Sequence, residues 1–353
     1  MQENMNATIC AIAVVCASAL LGVTASAQQG KSMEDLLRPW LDPAFEKTEG
    51  TDSNVRDLVA AVTPQIQAAV PETLSAAPAE KRRVLVITAN TLGALHAPGS
   101  AGLLVLLRET GKKFGDAFEF MEVFDDAKLD AASLAGVDAV VVNGVSQLPR
   151  GGNAAFYNEV LPAYVSAGGG LLGTHGAALI FRMQPEAEFN KLLGGFTTAD
   201  PVHPAKRHGA PFPTRIDQPN NPLTAAFRGP VQAVDTQGQW LAGSNRMIIK
   251  MQYTAPAQLA DELYTFNPQS NADGAARPIL SIDHVKMNPQ TGPLYPEGTS
   301  EFGYALIWIK DYGKGRVFYT QFGHNFSVFS VRCVAQSTLG GLQYVCGDLP
   351  EAE

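Results

Sequence analysis

Short apolar runs alternate with helix-like patterns through the first half of the chain. Runs rich in Val, Leu, Ile and Phe lie at 83–88, 118–123, 137–143 and 170–174. Between them, apolar residues recur at helical spacing over 101–112 and 154–167. Continuously apolar strands are typical of a parallel sheet that helices cover on both faces, and the alternation of strand and helix predicts that arrangement.

The second half of the chain has a different pattern. Residues 261–266, 278–284, 305–309 and 316–322 predict strands, and a turn at 311–315 joins the last two. Residues 201–221 and 287–301 are rich in proline, glycine and polar residues and predict long loops. We therefore expect one α/β domain over 81–349, with a doubly wound, mostly parallel sheet and loop-rich insertions in its second half.

The N-terminal residues resemble an export signal. Residues 9–23 are mostly apolar, and Ala25-Ser26-Ala27 follows as an A-x-A cleavage pattern. We expect residues 1–27 to be removed as a signal peptide, which makes the protein periplasmic or extracellular and leaves it without membrane contact. Residues 1–8 lack the usual Lys or Arg, so two alternatives remain, namely an uncleaved anchor and a true start at Met5. Residues 28–80 predict an N-terminal extension with one amphipathic helix, at 55–70.

The charge balance narrows the classes of partner. The 353-residue chain carries a formal net charge of −8, and its basic residues form no block. An acidic surface of this kind is a poor match for nucleic acid. We expect a neutral or polar small molecule as the partner, and the sequence is also compatible with a homo-oligomer.

Two cysteines, Cys333 and Cys346, follow the predicted signal peptide. The apolar spacing over 331–344 predicts a helix, and at about 1.5 Å per residue the two thiols would lie about 20 Å apart. A disulfide tolerates a Cα separation of only about 7 Å, so we expect both cysteines to be unpaired. A helix broken at Gly340-Gly341 would bring them together.

Three of the six histidines follow predicted strands. His96 follows the first strand, His175 ends the fourth, and His324 follows the strand at 316–322. Ligands of doubly wound sheets bind outside the carboxyl ends of the strands, so we expect these side chains to converge there. His203 follows a predicted helix at 188–196 and is a further binding residue in this interpretation. The alternative is that each histidine is a hydrogen-bonded structural residue.

Acidic and aromatic residues lie together in the predicted strand at 261–266. Glu262 and Tyr264 would share one face of that strand, next to Asp261. Carboxylates bind sugar hydroxyls and aromatic rings pack on apolar sugar faces, although a solvated edge strand is also consistent with the spacing. We predict His175, His324 and Glu262 as catalytic residues, either as general acid and base or as ligands of one divalent metal such as zinc. The predicted substrate-binding residues are His96, Tyr264, His203 and Asp261.

The segment 168–178, with the sequence GGGLLGTHGAA, places His175 between small residues at the end of an apolar run. Strand–turn–helix elbows that expose a nucleophile have this pattern, because small flanking residues let the backbone turn sharply. Here the residue at the tip is a histidine rather than a serine or cysteine.

The order of these segments resembles the ThuA-like (trehalose utilisation) family, which belongs with the class I glutamine amidotransferase-like, flavodoxin-type folds. The resemblance covers roughly residues 83–347. It is carried by 138–143, 168–177, 189–196 with His203-Pro204, 221–224, 261–266 and 313–319 with Gly323-His324. In the related glutaminases the elbow carries a cysteine nucleophile, and His175 occupies that position here. A histidine does not readily form the thioester, so the resemblance implies an elbow without glutaminase activity.

The resemblance implies a function in carbohydrate breakdown. We expect hydrolysis, elimination or isomerisation of a sugar or an oxidised (keto) sugar derivative. Two alternatives stay open, namely a non-catalytic sugar-binding or scaffolding module and a metal-dependent amidase-type hydrolase. In the ThuA-like family, polar residues and an aspartate more often follow the elbow, whereas residues 177–181 are apolar here. This difference affects the predicted substrate more than the predicted fold.

Overall fold

The computed structural model describes part of the chain. The described stretches are 32–42, 53–89, 96–146, 153–197, 212–228, 239–240, 247–248, 258–259, 261–271, 273–283 and 301–350. The expected signal peptide at 1–27 and the residues His203, His208 and His284 lie outside them. Among the described helices, none has the length and apolar character to cross a membrane.

Strands and helices alternate along the described chain as the apolar pattern predicts. The strands are β1 Arg82–Ile87, β2 Phe118–Val123, β3 Ala139–Asn143, β4 Gly170–Thr174, β5 Phe212–Ile216, β6 Gln239–Trp240, β7 Met247–Ile248, β8 Gln258–Leu259, β9 Arg277–Ile282, β10 Ala305–Tyr312 and β11 Gly315–Thr320. The α-helices are α1 Met33–Leu41, α2 Ser53–Ala69, α3 Ala97–Lys113, α4 Leu161–Ser166, α5 Glu188–Leu193 and α6 Arg332–Val345.

One sheet of nine described strands organises the domain, in the order β2-β1-β3-β4-β11-β10-β9-β5-β8. The first five strands in this order run parallel to one another, and the pairs from β11–β10 onward are antiparallel. The direction changes at the tight hairpin between β10 and β11, where Gly313 adopts a φ of 61°. The α/β fold with a mostly parallel sheet is therefore confirmed.

The sheet separates two apolar layers. Along β1, Val84 and Val86 pack in one layer with residues of α3 and α6, whereas Leu85 and Ile87 pack in the other with residues of α4 and α5. Successive strand side chains point to opposite faces, so a continuously apolar strand needs an apolar cover on both sides. The buried runs found in the sequence are these doubly covered strands.

Two helices of the N-terminal extension pack on the first apolar layer. The predicted helix at 55–70 corresponds to α2, whose Ile66 is fully buried. Helix α1 was not predicted, because it is short and contains Pro39. Its capping box, in which Ser32 and Asp35 bind each other's backbone N–H, was the available sequence signal. Trp40 of α1 packs against Phe326, 5.4 Å between ring centroids.

Three local predictions need correction. Residues 261–266 do not form a strand, and only Phe266 makes an isolated bridge, with Thr197. Residues 212–216, expected to be loop, form β5; Pro213 argued against a strand, but β5 lies near the sheet edge, where proline is tolerated. The predicted helix at 154–167 begins with a π-helical turn over 156–160 before α4.

The cysteine prediction is confirmed. Helix α6 runs without a break through Gly340 and Gly341, and Cys346 lies at its C-cap. Both Cys333 and Cys346 are free thiols. Burial, followed by the nearby Asp348 and Asp138 carboxylates, raises the pKa of the Cys346 thiol well above its usual range.

The first testable consequence of the fold concerns Gly99 of α3. A Cβ on Gly99 would lie 1.7 Å from the carbonyl oxygen of Gly323, next to His324. We expect Gly99→Ala to lower the free energy of unfolding by about 1–3 kcal/mol, because backbone must move to admit the methyl group. Urea denaturation measures the change.

Gly340→Ala in α6 is the matched control, since the Cβ there would meet only Leu223 at an ordinary 3.5 Å. That variant should gain about 0.5–1 kcal/mol from the higher helix propensity of alanine. Equal stability of the two variants would contradict the close approach of α3 to the 323–324 turn.

Candidate active site

His175 forms a sharp turn directly after β4. Its φ of 39° is the only positive value among the described non-glycine residues. Such a conformation costs about 1–3 kcal/mol, so surrounding contacts must hold it. The Tyr319 hydroxyl donates to the His175 carbonyl oxygen at 2.8 Å, and a Cβ on Gly176 would meet the Ser146 hydroxyl at 2.3 Å. The predicted elbow is thus present, with His175 at its tip.

The His175 ring is held on both sides. Its Nδ1 lies 2.9 Å from the backbone oxygen of Gln321, at the end of β11. Its Nε2 lies 3.0 Å from Oε2 of Glu262 and 2.6 Å from the Tyr264 hydroxyl. The Tyr264 ring stacks on the imidazole, with centroids 4.5 Å apart and an interplanar angle of 23°.

Gln321 connects the elbow to the segment 261–266. Its backbone oxygen accepts from His175 Nδ1, its side-chain oxygen accepts the Tyr264 backbone N–H, and its Nε2 donates to the Ala305 oxygen at 2.9 Å. The segment therefore lies at the carboxyl edge of the sheet, and the Tyr264 N–H binds a side chain instead of a neighbouring strand. This explains why Glu262 and Tyr264 reach one site although the predicted strand is absent.

His96 enters the site from the N-cap position of α3, after β1. Its Nδ1 contacts the Ser146 hydroxyl, and that hydroxyl donates to the Gly144 oxygen at 2.7 Å. Its Nε2 lies 3.3 Å from the Tyr264 hydroxyl and 3.6 Å from Oε2 of Glu262. His96, predicted as a binding residue, is thus part of the same group as His175.

His324 lies in the turn after β11, and Asp261 shapes this turn. One oxygen of Asp261 accepts the Gly323 N–H at 2.8 Å, and the other accepts the Asn325 N–H at 3.1 Å and its side-chain amide at 2.8 Å. His324 Nδ1 then lies 3.1 Å from Oε2 of Glu262. Because both of its carboxylate oxygens accept from this turn, Asp261 is a positioning residue in this geometry.

Four side chains meet at the centre of this edge. One ligand-type atom from each of His96, His175, Glu262 and His324 lies within 4.8 Å of all the others, and all four residues are buried. His175 is fully buried, and the other three are at most 7% exposed. The sequence-predicted residues His96, His175, His324, Glu262 and Tyr264 are therefore brought together, whereas His203 lies outside the described residues.

Burial fixes the protonation of two members of this group. It disfavours the imidazolium of His96 and, with the opposing effect of Glu262 smaller, lowers its pKa to about 3. Burial, together with the negative charges nearby, raises the pKa of Tyr264 well above its usual range. At neutral pH the site therefore holds a neutral imidazole as acceptor and a neutral phenol as donor.

Sequence reasoning missed Gln321 and Ser146. Each is a buried polar residue just after an apolar strand, which was the only available signal. Their partners are ring nitrogens and backbone groups from distant parts of the chain, and no local pattern predicts such pairs. Chemically, the assembled group can transfer protons, bind a polar ligand or hold a metal ion through its imidazole nitrogens and carboxylate.

Comparison with a solved structure agrees with the fold. A ThuA-like protein from Bacteroides uniformis matches with a TM-score of 0.50 and 16% identity, over 78% of this chain and 93% of that one. A ThuA-like protein from Parabacteroides merdae matches over the same shares of the two chains, with 17% identity and a TM-score of 0.40. Among curated proteins, none matches this chain.

The fold and the elbow define an α/β protein of the doubly wound class, with its candidate site at the carboxyl edge of the parallel strands. The family model named ThuA, described as trehalose utilisation, matches residues 83–345. The chain belongs to the ThuA family.

The role of Asp261 gives a second prediction. Asp261→Asn keeps the size of the side chain but replaces one acceptor oxygen by an amide that faces N–H donors. We expect the free energy of unfolding to fall by about 2–3 kcal/mol, because buried donors of the 323–325 turn lose a charged acceptor. Thermal and urea unfolding measure this loss.

Asp130→Asn is the control, since the exposed Asp130 accepts from Ser133 in a similar local turn. Its effect should be much smaller than that of Asp261→Asn. A similar loss in both variants would remove the positioning role from Asp261.

Proposed function

We propose that the protein is an exported carbohydrate-processing enzyme that acts on a sugar or an oxidised (keto) sugar derivative by hydrolysis, elimination or isomerisation. The observation that carries this proposal is the buried group of His96, His175, His324, Glu262 and Tyr264 at the carboxyl edge of the sheet. The family description, trehalose utilisation, supports a carbohydrate as the substrate class. Export is supported by the apolar run at 9–23 and the A-x-A pattern at 25–27 that follows it.

The paired donor and acceptors suit chemistry next to a carbonyl group. A ketone makes the neighbouring C–H acidic, and removal of that proton needs a base together with a donor to the carbonyl oxygen. In this proposal the Tyr264 phenol is the donor, and Glu262 with His324 accepts the proton. The resulting enolate either isomerises, when the proton returns at the other carbon, or re-forms the carbonyl with a new C=C bond and expels the glycosidic oxygen β to it, which leaves as an alcohol with the proton that Glu262 and His324 took up.

The same groups can also carry hydrolysis. A carboxylate–imidazole pair, such as Glu262 and His324 at 3.1 Å, activates water and returns the proton to the leaving oxygen. The His175 ring contacts both Glu262 and Tyr264, and it therefore holds the proton acceptor and the proton donor in fixed positions relative to each other. Glutaminase chemistry is not part of the proposal, because an imidazole stands where a thiol nucleophile would be needed.

Replacing the donor tests the proposal. We expect Tyr264→Phe to reduce kcat on a keto disaccharide by about 10²–10⁴-fold, because the proton donor is lost. His175→Ala should abolish turnover while the protein stays folded. Product formation followed by NMR, with circular dichroism to check folding, measures both.

Tyr157→Phe is the matched control. Tyr157 is also fully buried and loses one hydrogen bond, that of its hydroxyl to Asp126 at 2.8 Å, on another part of the carboxyl edge. Its kcat should stay within about twofold of wild type, as expected for a residue outside the reaction. Unchanged turnover in His175→Ala would remove His175 from the mechanism, and sugar binding without turnover by the wild type would indicate a binding module instead. Cleavage of acylated amines by the wild type, without turnover of sugars, would indicate an amidase.

A further inference from the structure

We propose that His96, His175, His324 and Glu262 bind one divalent transition-metal ion, and that the hydrogen bonds behind His96 and His175 fix both rings in the tautomer that presents Nε2 to the ion. This inference rests on the proposed function in that both use the same side chains. Ion binding is nevertheless measurable without any sugar.

The tautomer of His175 follows from its backbone partner. A carbonyl oxygen only accepts, so the contact of Nδ1 with the Gln321 oxygen at 2.9 Å requires the hydrogen to be on Nδ1. Nε2 of the neutral ring then carries a lone pair, directed toward Oε2 of Glu262 and the Tyr264 hydroxyl. Metal-binding histidines are held in this way, with the other ring nitrogen donating to a carbonyl or carboxylate.

The tautomer of His96 follows from Ser146. A serine hydroxyl has one hydrogen, and that of Ser146 is donated to the Gly144 oxygen at 2.7 Å. Its oxygen therefore accepts from Nδ1–H of His96. Nε2 of His96 is left with a lone pair, 3.6 Å from Oε2 of Glu262.

Several lone pairs therefore face the centre of the site. The Nε2 atoms of His96 and His175 both direct lone pairs toward the same carboxylate oxygen, Oε2 of Glu262. The Tyr264 hydroxyl supplies a single proton and lies between the two nitrogens, at 2.6 Å from His175 and 3.3 Å from His96. The two nitrogen lone pairs and the carboxylate repel one another. A cation bound between them would attract all three groups.

The distances from Glu262 to the three imidazoles suit a transition metal. Ligands at about 2.0–2.1 Å in a tetrahedral site lie about 3.3 Å from one another. Oε2 of Glu262 lies 3.0 Å from His175 Nε2, 3.1 Å from His324 Nδ1 and 3.6 Å from His96 Nε2. Imidazoles with one carboxylate suit zinc and its neighbours rather than calcium or magnesium, which prefer oxygen ligands.

The test uses full-length protein that has been stripped with a chelator and dialysed. Titration with Zn²⁺ by calorimetry, and with Co²⁺ by visible absorption, should give about one ion per chain. His96→Ala and Glu262→Gln should bind at least about a hundredfold more weakly, because each loses a ligand. Tyr157→Phe, a control away from the four ligands, should bind as the wild type does.

Ser146→Ala distinguishes a metal site, whose ligands are held by further hydrogen bonds, from four side chains that merely lie close together. It leaves all four ligands in place but removes the acceptor that fixes the His96 tautomer. We expect a loss of affinity of about 10–100-fold, the usual effect of removing a partner behind a metal ligand. Because this change removes one atom, it keeps the test informative even where His96→Ala fails to fold.

Two results would overturn the metal site: folded wild type that binds neither ion, or ligand variants that bind as tightly as wild type. Sugar turnover is followed separately with the same preparations. Turnover by protein that binds no ion would overturn the metal site and leave the proposed function standing. Tight ion binding that depends on the four side-chain ligands, without turnover of any sugar, would support the metal site and overturn the proposed function.

Discussion

The turn at His175 is the constraint on which the candidate site depends. A non-glycine residue at a φ of 39° persists only where its surroundings fix it from several sides. Here the Tyr319 hydroxyl holds its carbonyl group and the Gln321 carbonyl holds its ring. Both partners belong to β11 or follow it directly, and β11 pairs with β4 in parallel. The register between β4 and β11 therefore sets the position of the His175 ring.

The second element of the site is joined to the sheet through side chains. The segment 261–266 has no ladder of its own in the described structure, apart from the bridge at Phe266. Gln321 binds its backbone at Tyr264, and Asp261 binds the turn that carries His324. The segment and the turn thus fix each other. A displacement of one therefore moves Glu262 relative to His324, on which any chemistry at this centre depends.

The sequence predicted the parts of the structure that depend on local pattern. The buried strands, the helix without a disulfide and the histidines after strand ends follow from apolar periodicity and from the geometry of parallel sheets. The prediction of a strand at 261–266 was wrong, because an alternating pattern also occurs in a segment that side chains hold in place, as the Gln321 side chain holds the Tyr264 N–H. Gln321 and Ser146 were missed because their roles lie in contacts with residues far away in the chain.

Burial explains why the histidines need the rest of the network. Three imidazoles and a carboxylate at most 7% exposed to solvent would be costly as isolated groups in a protein interior. The outward nitrogens of His96 and His175 donate to Ser146 and Gln321, while their inward nitrogens stay directed toward Glu262. In each ring the outward nitrogen fixes the orientation and the tautomer, and the inward nitrogen has an electron pair available for a proton, a ligand or an ion. A cysteine at the elbow provides one nucleophilic atom, whereas a histidine there provides both of these functions at once.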